Sequence, residues 1–323
     1  MSIKFMDGFD QFAYDPSPVS ALSAAGYTVG GNVAISDGRN PGTSAVAVGS
    51  GSASGSIQRT FSSAQQIVVL GFAYMATATR ATIVTITDVL TLSWDGATGK
   101  IMVNGSPGVA TVVLGVFYYF EVVIDKTLGE VRIYINNELD LTVSLPAGAA
   151  FITTFVCAWS SSGDVKRLDD LVFVDSATGT YTDRIGPVQI TARLPSVDVD
   201  AEWSASVGDD NFDMVNNIPV DPAQFIQSNT SGAYSTYLSN TTVPDPDNIL
   251  AVGLVVRARK SDVDNRQIGL LVGTKAGPSK EVLQPVLQTT DAYSYAVFET
   301  DTANQLWDDE SMSDTAFGVV VRP

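Results

Sequence analysis

The residues best suited to chemistry in this 323-residue chain are acidic. Asp169 and Asp170 are adjacent, and Asp175 closes the same run, LDDLVFVD. Neighbouring carboxylates on the rim of a β-rich domain supply the hard oxygen ligands that calcium takes. Asp169, Asp170 and Asp175 are therefore the candidate calcium set; the same groups could instead cap turns or pair with Lys166 and Arg167. DDNFD at Asp209–Asp213 and DPDN at Asp245–Asn248 are weaker candidates for the same ion. Neither continues into the glycine and distal glutamate of a twelve-residue calcium loop. Glycoside hydrolysis would need two carboxylates roughly 5–9 Å apart around one sugar. Glu121 and Asp125 in EVVID stand four residues apart, where a sandwich-fold glucanase sets its acids two apart on one strand face. They are expected to be solvent-facing strand charges.

The chain contains no histidine and a single cysteine, Cys157. Without imidazole there is no Ser-His-Asp triad, no Cys-His dyad and no histidine zinc site. One cysteine closes no intrachain disulfide, and Cys157 lies in the apolar run FITTFVCAW, where a thiol acts as a small buried hydrophobe. The Gly/Ser stretch at 49–55 lacks the lysine of a phosphate-cradling loop, and WDGATGKI lacks its first glycine. No catalytic residue and no bound cofactor other than calcium is expected.

Thirty-five acidic residues stand against 18 basic ones, a formal net charge of −17, which disfavours nucleic acid and anionic lipid as partners. Binding chemistry would fall instead to aromatic and basic side chains. Trp94, before the Asp95-Gly96 turn, and Trp159, before the loop SSSGD, are the candidates for stacking on a sugar. In the second half, Trp203, Tyr234, Tyr237 and the basic loop carrying Arg257, Arg259, Lys260 and Arg266 form a candidate assembly interface. A basic loop on an acidic protein can dock onto an acidic neighbour.

The elements that must position these residues are strands. Phe117–Leu141 alternates at period 2, with Tyr118, Phe120, Val122 and Ile124, then Val131, Ile133 and Ile135, on the inward face. That is the mark of a half-buried antiparallel pair. Further strands are predicted at Ala45–Val48, 65–75, 81–95, Lys100–Val103, Val109–Leu114, Phe151–Trp159, Leu168–Val174, Ile249–Arg259, Gln267–Thr274, Ser294–Thr300 and Phe317–Val321, and no segment shows a convincing helical repeat of apolar residues. Strands at such spacing, with turns between them, suggest two-sheet sandwiches. Pro187–Arg193 reads as a short strand leading into a linker, and 201–248 as long polar loops. The first residues, MSIKFMDGFDQF, lack the apolar core of a signal peptide, and no stretch approaches a membrane helix. Synthesis in a cytoplasm is expected, with the sequons at Asn104, Asn229 and Asn240 as chance matches.

Four segments in order resemble a family of tailed-bacteriophage virion proteins. They are the opening FMDGFDQF, the paired strands of YYFEVVIDKTLGEVRIYINNELDL, the exit LDDLVFVDSATGTYTDRIGPVQITARLP, and the C-terminal ILAVGLVVRARKSD, SYAVFETD and LWDDESMSDTAFGVVV. The second of these is similar to concanavalin-A-like or laminin-G-like sandwiches. The resemblance implies a double β-sandwich subunit on the outside of a virion, in a tail, collar, fibre or capsid-decoration position.

The expectation is thus an all-β chain of two β-sandwich, jelly-roll-like domains. The first, 1–193, is concanavalin-A-like; 194–200 is a linker; 201–323 is a smaller sandwich with long N-terminal loops. The expected function is that of a non-enzymatic, homo-oligomeric structural subunit whose partners are other virion proteins. The alternatives are a capsid decoration protein or a lectin-like module for host surface polysaccharide. Neither nucleic-acid binding nor membrane insertion is expected.

Overall fold

The structure is a computed structural model that describes residues 1–49, 53–77, 82–161, 164–181, 184–239 and 248–323. The sequon at Asn240 and most of DPDN lie outside them. The chain divides into two compact units, Met1–Thr191 and Ala192–Pro323.

The first unit is built on two antiparallel sheets. The larger has eight strands. Seven of them lie in the order Glu138–Ser144, Glu130–Ile135, Tyr118–Asp125, Ile67–Ala76, Lys166–Asp175, Ser44–Val48 and Val33–Asp37, and Ser2–Asp7 also pairs with Lys166–Asp175. The smaller has seven: Ser106–Thr111, Lys100–Val103, Leu90–Asp95, Thr82–Ile86, Thr154–Ser161, Gly55–Ser62 and Thr28–Gly31. Aromatic rings join the facing layers. Phe61 stacks on Phe173 across 4.5 Å, and Trp159 meets Phe72 edge-on at 5.7 Å. This is the expected β-sandwich.

The central hairpin departs from expectation in one respect. Tyr118–Asp125 is not half-buried: every residue from Tyr119 to Asp125 is buried, on both faces. On one face Phe120 meets Ile83 and Trp94 of the second sheet, while on the other Tyr119 and Glu121 lie against a later stretch of chain, 184–190. Period-2 alternation reports one buried face, and covering the other needs a partner from elsewhere in the chain.

The second unit is a smaller two-layer sandwich. A five-stranded sheet runs Pro195–Ala201, Tyr234–Ser239, Thr315–Arg322, Gln267–Thr274 and Gly277–Leu283. The antiparallel pair Val252–Ala258 and Ala292–Phe298 packs on it. The shared core holds Ile268, Leu270, Val272, Phe298, Trp307 and Phe317. Trp307 donates its indole N–H to the Phe298 carbonyl at 2.7 Å, so a large ring is buried with its one polar atom satisfied.

Several sequence expectations are corrected here. The presumed linker 194–200 is mostly an edge strand, Pro195–Ala201, and 187–193 holds no strand. Proline and acidic residues suit a sheet edge, where an N–H is dispensable and charge prevents further pairing. The polar stretch 201–248 is not simply loop, since Tyr234–Ser239 lies inside the five-stranded sheet. Among the described residues three short α-helices also occur, Pro18–Ala24, Asn211–Val215 and Asp309–Asp314. The last begins with a capping box between Asp308 and Ser311. None is long enough to register as a helical repeat.

Candidate functional site

The densest polar chemistry lies on the outer face of the eight-stranded sheet, at a kink in Lys166–Asp175. The register of this strand against Ile67–Ala76 shifts between Asp169 and Val172. At the shift Asp170 takes φ +50°, a left-handed conformation that Asp tolerates better than most side chains. The kink places two successive carboxylates side by side, each only 1% exposed.

Three of their four oxygens accept backbone amides, and the fourth lies beside a guanidinium. Asp169 Oδ1 accepts the Asp170 amide at 2.8 Å, and Asp169 Oδ2 accepts the Arg39 amide at 2.7 Å. Asp170 Oδ1 accepts the Ile190 amide at 2.8 Å, and Asp170 Oδ2 lies 3.2 Å from the Arg39 guanidinium. Burial pushes both carboxyls up, Asp169 to about 7, helped by the charge of Asp170, and Asp170 to about 6, against the pull of Arg39. The buried Asp10 carboxylate, which caps the Ser44 amide at 2.6 Å, adds to the rise in both. Two neighbouring buried carboxylates served by one guanidinium thus favour their protonated forms more than free carboxyls do.

Glu121 faces the same way from the neighbouring hairpin. It pairs with the Arg184 guanidinium and accepts the Gly186 amide at 2.9 Å. Arg184 also stacks 3.9 Å above the Tyr134 ring and donates to the Asn137 carbonyl at 3.1 Å. Between these groups lies Tyr119, with the Arg39 guanidinium 5.5 Å from its ring centroid. Its burial raises the phenol well above the ordinary value. Gly71 makes room for it, since a Cβ there would come within 2.5 Å of the Tyr119 hydroxyl. The 184–190 segment is therefore strapped across the sheet by Glu121 at one end and Asp170 at the other.

The expected solvent-facing role of Glu121 and Asp125 is corrected: both are buried. Asp125 caps the turn that follows it, accepting the Thr127 and Leu128 amides at 3.0 and 2.9 Å. The calcium set does not assemble either. Asp175 lies at the far end of its strand, six residues or about 20 Å from Asp169 at strand rise. There it accepts from Ser63 Oγ at 2.8 Å and lies 3.7 Å from Lys4. Among the described residues no group of three or more His, Cys, Asp or Glu side chains could hold a metal ion.

The sugar-stacking candidates are also corrected. Trp159 is 0% exposed in the sandwich core, and Trp94 is buried against a small internal cavity. Of the interface candidates, Tyr237 is buried in the second unit and Tyr234 is half-buried. Trp203, also half-buried, donates its indole N–H to the Ala233 carbonyl at 3.0 Å. The basic residues meet local acids. Arg257 lies 2.6 Å and Arg259 3.7 Å from Asp291, and Arg266 lies 3.3 Å from Asp262, while Lys260 donates to the Asp264 carbonyl at 2.7 Å. Such pairing leaves little field to steer an acidic partner.

Sequence reasoning missed Arg39, Arg184 and Asp10. The available signal was a glutamate inside an otherwise apolar strand run, YYFEVVID, which requires a cation or several N–H donors wherever it is buried.

No family model matches the chain, and no curated protein matches it. Solved structures do match in part. One is a Bacillus subtilis protein of unknown function with a galectin-like fold, at 11% identity and TM-score 0.39, covering 54% of this chain and 96% of that one. Another is the metal-free carbohydrate recognition domain of Emp46p, at 8% identity and TM-score 0.38, covering 52% and 95%. A third is a sialidase, at 12% identity and TM-score 0.41, where 53% of this chain spans only 18% of that one. At such identities and TM-scores the likeness assigns neither ligand nor activity to this chain. The all-β sandwich architecture rests on the chain's own sheet topology.

Proposed function

We propose that this chain is a non-catalytic recognition and assembly subunit on the exterior of a tailed-phage virion, working as a symmetric oligomer. The observation that carries the non-catalytic part is the use made of the acidic residues. Asp169, Asp170 and Glu121, the groups best suited to acid–base work, are all buried; Asp170 and Glu121 bind the 184–190 segment to its own sheet, and Asp169 accepts the Arg39 amide. The virion placement is supported by the four sequence segments that resemble virion proteins. The assembly role is supported by the apolar side chains that the second unit leaves in water, Val207 and Phe225 among them. Virion positions have rotational symmetry, which a closed oligomer satisfies. Electron microscopy of particles labelled with antibody to this chain tests the placement. Label on tail, neck or fibres supports it, and absence of label from purified particles refutes it.

A second reading, recognition of a surface polysaccharide, is favoured by two solvent-facing rings on the first unit, Tyr14 at 86% and Phe151 at 88% exposure. Flat aromatic faces in water are suited to sugar stacking, whereas Trp94 and Trp159 are withdrawn into the fold. A glycan array run with and without calcium tests this reading. It requires saturable binding that Tyr14→Ala or Phe151→Ala weakens in a folded protein.

A further inference from the structure

Two hairpins of the first unit are closed by the same device. Val103 and Ser106 flank the turn Asn104-Gly105, and Ile135 and Glu138 flank the turn Asn136-Asn137. Both turns hold two left-handed residues, at φ +49° and +89° in one and +47° and +79° in the other, as tight two-residue hairpins favour. In each, the leading asparagine reaches back to an earlier strand. The Asn104 amide donates to the Thr91 carbonyl at 3.1 Å, and the Thr91 amide donates to Asn104 Oδ1 at 2.9 Å. The Asn136 amide donates to the Tyr119 carbonyl at 2.8 Å, and the Tyr119 amide donates to Asn136 Oδ1 at 2.9 Å. All four turn residues are exposed. What differs is the residue after the asparagine, a glycine in the first turn and a second asparagine in the other.

That difference bears on chemistry. The nitrogen of a backbone amide can attack the side-chain carboxamide of the asparagine before it and close a five-membered ring. At Asn104 the Thr91 N–H points at the oxygen on which negative charge then develops, the role that an oxyanion-hole donor plays. The Gly105 amide donates to no acceptor among the described residues, and a Cβ built on Gly105 would meet nothing within 4 Å. The attacking nitrogen is therefore open to base from solvent. In the second turn the Cβ of Asn137 stands next to the corresponding nitrogen.

We infer that Asn104 is a site of spontaneous covalent modification, where the carboxamide is lost through a ring formed with Gly105, while the matched Asn136 is spared. Hydroxide takes the Gly105 amide proton. The nitrogen bonds to Asn104 Cγ, the Cγ–Nδ2 bond breaks, and Nδ2 leaves as ammonia with a proton from water. Water then opens the ring at one of its two carbonyls. Opening at Cγ gives aspartate on an ordinary backbone, which keeps an acceptor for the Thr91 amide. Opening at the backbone carbonyl gives isoaspartate, with the chain running through Cβ. That adds an atom to a two-residue turn and loosens the pairing of Lys100–Val103 with Ser106–Thr111.

Peptide mass mapping of the full chain, held folded in mildly alkaline buffer made with isotope-labelled water, tests this. Asn104 is expected to convert at least about tenfold faster than Asn136, because a glycine puts no Cβ beside the attacking nitrogen. Gly105→Asn copies the second turn, and asparagine tolerates the left-handed φ, so Asn104 should slow to the rate of Asn136. Asn137→Gly should speed Asn136 in turn. Equal rates at the two sites in the unmodified chain, or conversion of Asn104 only after unfolding in urea, overturns the proposal. That comparison stands even if a variant fails to fold.

Discussion

Replacing Asp170 with Asn is expected to stabilise the first unit at alkaline pH and to leave it unchanged in acid. The group's pKa is raised in the folded state, so the stability it contributes is present below its unfolded value and is lost as pH rises through the folded one. For the Asp169–Asp170 pair that window runs from about pH 4 to pH 7. The lift of Asp170 from 3.8 to about 6 corresponds to roughly a hundredfold in proton affinity, or about 3 kcal/mol at 1.36 kcal/mol per decade. Asn removes that ionisation while keeping an oxygen for the Ile190 amide. It also suits φ +50° at least as well as Asp. Asp169 then carries a lone negative charge beside Arg39. Hydrogen exchange of amides in Tyr118–Asp125 and Lys166–Asp175, measured on the full chain from about pH 3 to 8, reads the difference. The variant should match the parent at the acid end and exchange up to about a hundredfold more slowly at the alkaline end. If the variant is instead less protected at pH 8, the ion pair of Asp170 with Arg39 outweighs the cost of burying its charge, and the account of a raised pKa fails.

Arg184→Ala strips the guanidinium from a glutamate that is 1% exposed and should cost about 3–5 kcal/mol in urea unfolding. Arg184→Lys, which keeps the charge but not the stacking on Tyr134, should recover only part of that. Trp159→Ala and Trp307→Ala each empty a core and should cost about 3–5 kcal/mol, but in different units. Limited proteolysis should therefore cut first within 1–191 for one and within 192–323 for the other, and identical cleavage patterns would refute independent cores. Cys157, with its thiol pushed far up by burial, should resist a thiol reagent in the native protein and react at once in denaturant.

What could be read from the sequence was whatever one strand encodes by itself. Val131, Ile133 and Ile135 alternate with polar neighbours, and the alternation gave both the strand and its inward face. Trp159 was equally legible. It keeps phase with Phe155 and Cys157 on a single buried face, and only the polar loop after it suggested an exposed edge. Pro195–Ala201 was hidden because its acidic residues and proline imitate a linker, though they also suit a sheet edge. The outer face of the large sheet was not legible at all. Glu121 meets Arg184 across 63 residues of sequence, and the segment bearing Arg184 has no strand periodicity to announce it. Pairings of that kind come from tertiary folding, and the sequence shows only the demand for them, a charge amid apolar residues.

The strap also bears on the order in which a growing chain can finish folding. All the strands of the first unit have been made once Asp175 emerges, yet Glu121 and Asp170 still lack the amides of Gly186 and Ile190. At roughly 5–20 residues per second, the stretch from Asp175 to Ile190 arrives about one to three seconds later. During that interval a complete sandwich shows water a polar groove along its broad sheet, and residues 184–190 then convert that groove into interior.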